Sequence, residues 1–319
     1  MRRLLEKLPP HIETVLVVDP DMSICDTDSG SAIDFEHAIR NFQQSGAAAA
    51  CPRITLERDG FLSRFQMLEY ALSFGAGRQS LADYSITSGV SLYRRDALKQ
   101  ALARHSLSVY AEDLENALIL LSLGERIYYD GRLVVSTEGP SSWKQWFSQR
   151  VGWYYGLIKV YAERLSEIWR VAQRTPFAMY HYVVYTGFLL IVWHLAKMAS
   201  AALLLASLAS GLDGLLDGGL IPATALTNPV HFVSAVGGYT ALGALALFTV
   251  VPKRERGYVA PIVPLFLCYA VLHIVPMSLG FGNWIALKLF NRRLYRDHYE
   301  SSGDRDGAPA NVLQEEQPS

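Results

Sequence analysis

The chain has 319 residues, half of them hydrophobic and 18% charged, with a formal net charge of −1. A charge so near zero gives no reason to expect nucleic acid as a partner. Its three cysteines, Cys25, Cys51 and Cys268, stand far apart with no CxxC pair and no His at ligand spacing, which argues against a disulfide framework and a zinc site and fits a reducing compartment for Cys25 and Cys51.

The length admits two domains, and the charge pattern divides the chain into unlike halves. Charges are frequent up to Arg174 and nearly vanish until Lys253. The N-terminus, MRRLLEKLPPHIE, is basic but has no long apolar core and no small-residue cleavage site, so it does not read as a signal peptide.

Taken in order, Thr14 to Val18 (TVLVV) is a β-branched run that ends in Asp19-Pro20-Asp21. This predicts a buried strand with two carboxylates at its carboxyl end, where ligands of open α/β sheets bind. Two hard oxygen donors on a Pro-stiffened tip suit a divalent cation shared with substrate phosphates. Taken alone, the pair reads equally well as a polar loop after a strand.

Ser31 to Gln44 has helical spacing, Ala47 to Ile54 reads as a second strand, and Phe61 to Phe74 as an amphipathic helix with Phe61, Phe65, Leu68 and Leu72 on one face. Ile86 to Leu98 predicts a turn, a short strand and a helix start, and Ser88-Gly89 would let backbone approach a ligand closely. In Tyr110 to Gly124, Glu112-Asp113 open a helix with Leu114, Leu118 and Leu121 inward. Acidic residues there serve the helix dipole, and Asp113 is also placed to act as a general base. Glu125 to Thr137 predicts a strand pair around Asp130-Gly131. Strands alternating with helices make the first half α/β.

From Ser142 the chain turns helical, with Trp143, Phe147, Tyr154, Leu157, Tyr161 and Leu165 at three- and four-residue steps and basic residues between them. That pattern fits a helix lying at a membrane interface or, more plainly, a core-packing helix. Gln149, Gly152, Trp153 and Gly156 share one face, and the two glycines leave a groove suited to a sugar ring or a close backbone. Arg150 lies about 100° round from Gln149.

Phe177 to Leu208, Val230 to Val251 and Tyr258 to Leu279 are long apolar stretches, and a span needs about 20 such residues, so three spans are expected. The loop from Gly211 to Pro229 has Asp213 and Asp217 but no Lys or Arg, whereas Lys253-Arg254-Glu255-Arg256 is basic. The positive-inside rule puts the basic loop and the first half of the chain in the cytoplasm. Pro264, Pro276 and Gly280-Phe281-Gly282 could break the last segment into a re-entrant pair, and Asn291 to Arg296 is basic, so three or four spans fit. From Ser301 on the chain is polar and reads as disordered. The expected organisation is 1–141 catalytic, 142–175 interfacial, 176–290 transmembrane and 291–319 tail.

The motifs are weak singly, but their order is specific. Asp19-x-Asp21, Gln66-x-x-Glu69-Tyr70, Ser88-Gly89 with Tyr93-Arg94-Arg95, Glu112-Asp113 and Gln149-Arg150-x-x-Trp153, followed by apolar stretches, resemble the family-2 glycosyltransferases. The nearest likeness is to the membrane-embedded processive branch of cellulose, chitin and hyaluronan synthases.

The resemblance implies a partial GT-A (nucleotide-diphospho-sugar transferase) domain over roughly Thr14 to Gly156, followed by an α-helical transmembrane domain. Asp19 and Asp21 would hold Mg²⁺ or Mn²⁺ and the nucleotide diphosphate, and Asp113 would be the base. Gln149, Trp153, Ser88 and Gly89 would meet the acceptor. A UDP-sugar would be the donor, a growing polysaccharide the acceptor, and the site a multi-pass plasma (inner) membrane protein in contact with lipid. A lipid or short acceptor, and an inactive membrane subunit beside a partner subunit, are the alternatives.

Three departures stand out. Ala111 replaces the Thr of the T-E-D motif, and Gly152 replaces the Arg of Q-x-x-R-W. The chain also starts at the D-x-D strand, so an earlier nucleotide-binding half of roughly 60–100 residues is expected to be missing.

Overall fold

The computed structural model describes residues 2–24, 35–58, 60–106, 110–192, 194, 195, 198, 229–292, 294 and 295. The start of the predicted Ser31 helix, the end of the first apolar stretch, the predicted Gly211 to Pro229 loop up to Asn228 and the polar tail lie outside them.

Helix α1 (Arg2–Lys7) leads into β1 (Thr14–Val18) and a short β2 (Met22–Ser23). Then follow α2 (Phe35–Ser45), β3 (Ala49–Leu56), α3 (Gly60–Tyr70), a π-wound continuation (Ala71–Arg78) and a closing turn, α4 (Gln79–Leu81). The α/β part ends with β4 (Val90–Arg94), α5 (Arg95–Arg104), α6 (Glu112–Ser122) and β5 (Ile127–Thr137). The strands form one mixed sheet in the order β1-β4-β3-β5-β2, with β3 and β5 parallel and the other pairs antiparallel.

The two-residue period of a strand decides what each face meets. Ala49 and Tyr93 point to a core with Leu98, Leu118 and Leu120 of α5 and α6, while their neighbours Ala50 and Leu92 meet Ala38 and Phe42 of α2. Helices therefore cover both faces, as a sheet with near-continuous apolar strands requires.

The predicted strand pair around Asp130-Gly131 is instead one strand. The register against β3 jumps at Pro52/Arg53, where Pro52 faces Asp130 but Arg53 faces Val134. Asp130 Oδ1 accepts the Arg132 amide at 3.1 Å, so the acidic side chain curls the backbone into a bulge rather than a hairpin. The predicted inward face of α3 also needs correction. Phe65 and Leu68 are buried but Phe61, in the first turn, is exposed. The buried residues Leu62, Phe65, Met67 and Leu68 pack with Leu56 on one side and with the C-terminal helices on the other, so α3 is a bridge and not a one-faced surface helix.

Helix α7 (Trp143–Glu163) starts on a capping box, with Ser142 Oγ accepting the Gln145 amide at 3.2 Å and Gln145 Oε1 accepting the Ser142 amide at 3.3 Å. Helix α8 (Leu165–Ala172) and α9 (Pro176–Val192, mostly π-wound) follow, then α10 (Pro229–Thr249) and a long helical run, α11 (Lys253–Phe290). Among the described residues only α11 is long and apolar enough to cross a membrane; α9 and Val236–Thr249 are shorter apolar helices. Lys253 to Arg256, predicted as a loop, is the first turn of α11. The chain runs helically through Pro276 and Gly280 to Gly282, tightening to 3-10 over Ala260–Leu265 and pausing at His273, so no re-entrant pair forms.

Candidate active site

The site begins at the end of β1. The Asp19 amide donates to the Gly89 carbonyl at 2.9 Å, and the Met22 amide to the Asp19 carbonyl at 3.1 Å, closing a turn with Pro20 at its second position. Gly89 is what lets this turn close. A β-carbon there would run into the Asp19 carboxylate and sit 2.9 Å from the Met22 methyl.

Ser88, read from the sequence as an acceptor contact, faces inward. Its hydroxyl is buried, donates to the Val90 carbonyl at 2.6 Å, and its amide meets Ser91 Oγ at 3.0 Å. Ser88 braces the turn, and Gly89 makes room for Asp19.

Arg78, at the end of the π-wound segment, holds the same turn from behind. Its Nη1 donates to the carbonyls of Ile86 and Thr87, and lies 3.4 Å from Cys51 Sγ. The Thr87 hydroxyl in turn donates to the Asp113 carbonyl at 2.7 Å. Asp113 Oδ1 accepts the Leu114 amide at 2.7 Å in the first turn of α6. Sequence reasoning missed Arg78, since a lone arginine at a helix end has no signature; only the fold carries it under the carboxylates.

Asp19, Asp21 and Asp113 share one negative field. Burial pushes the Asp19 carboxyl up to about 6, with the charges of Asp21 and Asp113 adding to it. Burial also raises Asp113, against the opposing pull of the Arg78 guanidinium. A raised carboxyl pKa destabilises the folded state once the proton is gone. For Asp19 that contribution to stability is intact below 3.8 and lost as pH climbs through about 6. Asp19→Asn is therefore expected to raise the unfolding midpoint of the full chain in detergent at pH 7.5 by about 2 °C or more. No such gain is expected near pH 4. Scanning calorimetry at the two pH values reads the difference, and equal shifts would show that the Asp19 carboxyl is not raised in the folded chain.

A cleft of about 570 Å³ opens from Asp21 past Arg58, Glu138 and Gln145 to Gln149, so one space joins the end of β1 to α7. Its size is that of a small-molecule site. Gln149 Oε1 accepts from Arg150 Nη1 at 3.0 Å, and Trp153 is 40% exposed with the Arg150 guanidinium 4.0 Å from its ring centre. Arg150 itself is buried and ion-paired to Glu69 at 2.8 Å. The helical offset predicts that it does not take over for the Arg absent at Gly152, and its ion pair is indeed not with Asp19 or Asp21.

The groove expected beside Trp153 is filled. A β-carbon on Gly152 would meet the Tyr110 ring at 2.6 Å, and one on Gly156 would meet Tyr110 Cβ at 2.8 Å and Ala111 Cβ at 2.9 Å. Of the two occupants the sequence allows, it holds the close backbone. Ala111 is in the left-handed conformation, φ 56°, directly before Glu112-Asp113, so α7 is pressed against the segment that aims Asp113.

The structure thus gathers Asp19, Asp21 and Asp113 at one end of the site and Gln149 with Trp153 at the other. No curated protein matches the chain. The protein-family model described as glycosyl transferase family group 2 matches residues 25–251, a range that includes Asp113, Gln149 and Trp153 and begins just past Asp21. With most of its length matched, the chain belongs to glycosyl transferase family group 2 and is a glycosyltransferase.

Proposed function

We propose that this glycosyltransferase is a multi-pass membrane enzyme that moves a sugar from a UDP-sugar to a growing polysaccharide, with its catalytic part in the cytoplasm. The observation that carries the reading is the single cleft joining Asp21 to Gln149, with Asp19 in the electrostatic field of both Asp21 and Asp113. The apolar length of α11 and the basic turn at its start support the membrane placement.

The donor set fits a divalent cation. Asp19 and Asp21 offer hard oxygens whose mutual repulsion a cation would relieve. Among the described residues no group of three or more His, Cys, Asp or Glu side chains could hold a metal, so its remaining ligands would be diphosphate and water. When bound, Mg²⁺ or Mn²⁺ supplies charge neutralisation to the leaving diphosphate. Asp113 takes the proton of the acceptor hydroxyl as that oxygen bonds to the anomeric carbon from the side opposite the diphosphate. The bond from that carbon to the diphosphate oxygen breaks, UDP leaves, and the configuration inverts. Gln149 and Trp153 hold the acceptor ring.

Transfer to a lipid or short acceptor is the second reading, favoured by one observation. Tyr110 and Ala111 close the α7 face beside Trp153, which leaves a short platform. Incubating the detergent-solubilised full chain with radiolabelled nucleotide sugars and Mg²⁺ or Mn²⁺ tests both. The expected result is label in a product, with turnover lost in chelator and restored by the cation; product length separates the readings. No transfer from any nucleotide sugar would sink them.

A further inference from the structure

Gln66-x-x-Glu69-Tyr70 belongs to the ordered motifs, yet no step above uses Glu69. Glu69 lies on the bridging helix α3, and its Oε2 takes three contacts: Arg150 Nη2 at 2.8 Å, the Tyr269 hydroxyl, and His273 Nε2 at 4.0 Å. Burial opposes its charge, but Arg150, His273 and the Tyr269 hydroxyl outweigh that and hold the carboxyl below the usual range. Arg150 is 1% exposed, so its cation depends on this partner.

What Arg150 touches on its other sides is the acceptor end of the site. Its guanidinium stacks 4.0 Å from the Trp153 ring centre, and Nη1 donates to Gln149. Arginine has donors only, so the Gln149 atom facing it is the oxygen. The Gln149 amide nitrogen, with two N–H groups, is then what remains for the cleft.

We propose that Arg150 and Glu69 are a positioning pair that sets the acceptor platform: Arg150 backs Trp153 and orients Gln149 as a hydrogen-bond donor to an acceptor sugar oxygen, and Glu69 fixes Arg150. The inference rests on the reading above that Gln149 and Trp153 receive the acceptor. It adds a specificity: the acceptor must offer an oxygen lone pair to Gln149 while its ring lies on the outer face of Trp153. A planar fork that stacks and donates at once is a property of arginine that lysine lacks.

The test uses the full chain in detergent, labelled with 5-fluorotryptophan, the Trp153 line being assigned by its loss in Trp153→Phe. Arg150→Lys keeps a cation beside Glu69 and protects the fold. Glu69→Gln removes the anion, and Gln149→Glu keeps an acceptor for Arg150 but loses the donors. The fluorine line of Trp153 is expected to shift in both Arg150→Lys and Glu69→Gln. With a soluble oligosaccharide primer of the donor's own sugar, KM for the primer is expected to rise at least tenfold in Arg150→Lys and Gln149→Glu, with donor KM within twofold. A line that ignores both substitutions, or a primer KM that ignores Arg150→Lys in an active enzyme, overturns the inference. A wild-type chain that transfers nothing overturns the parent reading instead, and the fluorine line still decides whether the pair positions Trp153.

Discussion

Asp113→Asn is expected to abolish sugar transfer while leaving the fold intact. A positioned base contributes about 10²–10⁴ in rate, or roughly 3–5 kcal/mol of barrier, and an amide cannot take the acceptor proton. The substitution keeps what Asp113 does structurally, since an asparagine oxygen can still accept the Leu114 amide. It also removes a charge that burial disfavours. Because the Asp113 carboxyl is raised, its stability contribution is lost as pH rises, so the variant is expected to melt no lower than wild type at pH 7.5. A dead enzyme with an undiminished melting point separates chemistry from folding. The acid limb of kcat/KM against pH should sit above the usual carboxylate range, with activity rising as Asp113 loses its proton. Arg78→Met removes the opposing cation and should move that limb higher still. Asp113→Asn retaining more than about a tenth of wild-type transfer would remove Asp113 from the reaction.

The sequence marked the strand ends and the helix starts because those carry local chemistry. TVLVV before Asp19-Pro20-Asp21 is a strand as expected, though at the edge of the sheet and half-buried rather than buried, and Glu112-Asp113 open an apolar helix where they were expected. The strand pair at Asp130 could not be told from a bulge, since an acidic residue before glycine serves either, and only pairing with β3 decides. Phe61 was misplaced because a helix buried on two sides has no single stripe to count. Ser88 and Gly89 drew notice for a close approach, and the close approach the structure shows at Gly89 is that of Asp19. The links from Arg78 to Thr87 and from Glu69 to Arg150 join residues far apart in the chain, and no spacing rule encodes such a pair. The sequence could show that Gly152 lacks the arginine of the family motif. It could not show that the Tyr110 ring already fills that space.

Gly156→Ala is expected to cost both stability and rate, and Gly152→Ala to cost less. In an open helix either change would gain about 1 kcal/mol of helix propensity. Here the new methyl at Gly156 would lie 2.9 Å from the Tyr110 carbonyl carbon, and backbone cannot swing aside as a side-chain tip does. Overpacking of this kind costs roughly 1–3 kcal/mol, enough to reverse the propensity gain. The segment forced to move is Tyr110-Ala111, held in a left-handed turn directly ahead of Asp113, and a displacement near 1 Å at a catalytic group costs about a hundredfold in rate. At Gly152 the close atoms belong to the Tyr110 ring, which can rotate away. Tyr110→Ala therefore separates the two sites in double-mutant cycles. It should relieve Gly152→Ala, giving a clear favourable coupling, but not Gly156→Ala, since alanine keeps the Cβ and carbonyl carbon that clash. The same reasoning predicts that Gly152→Arg, which restores the family cation, fails to raise activity while Tyr110 is present. Equal coupling at the two glycines, or a gain in transfer from Gly152→Arg alone, would show that α7 does not aim Asp113 through this contact.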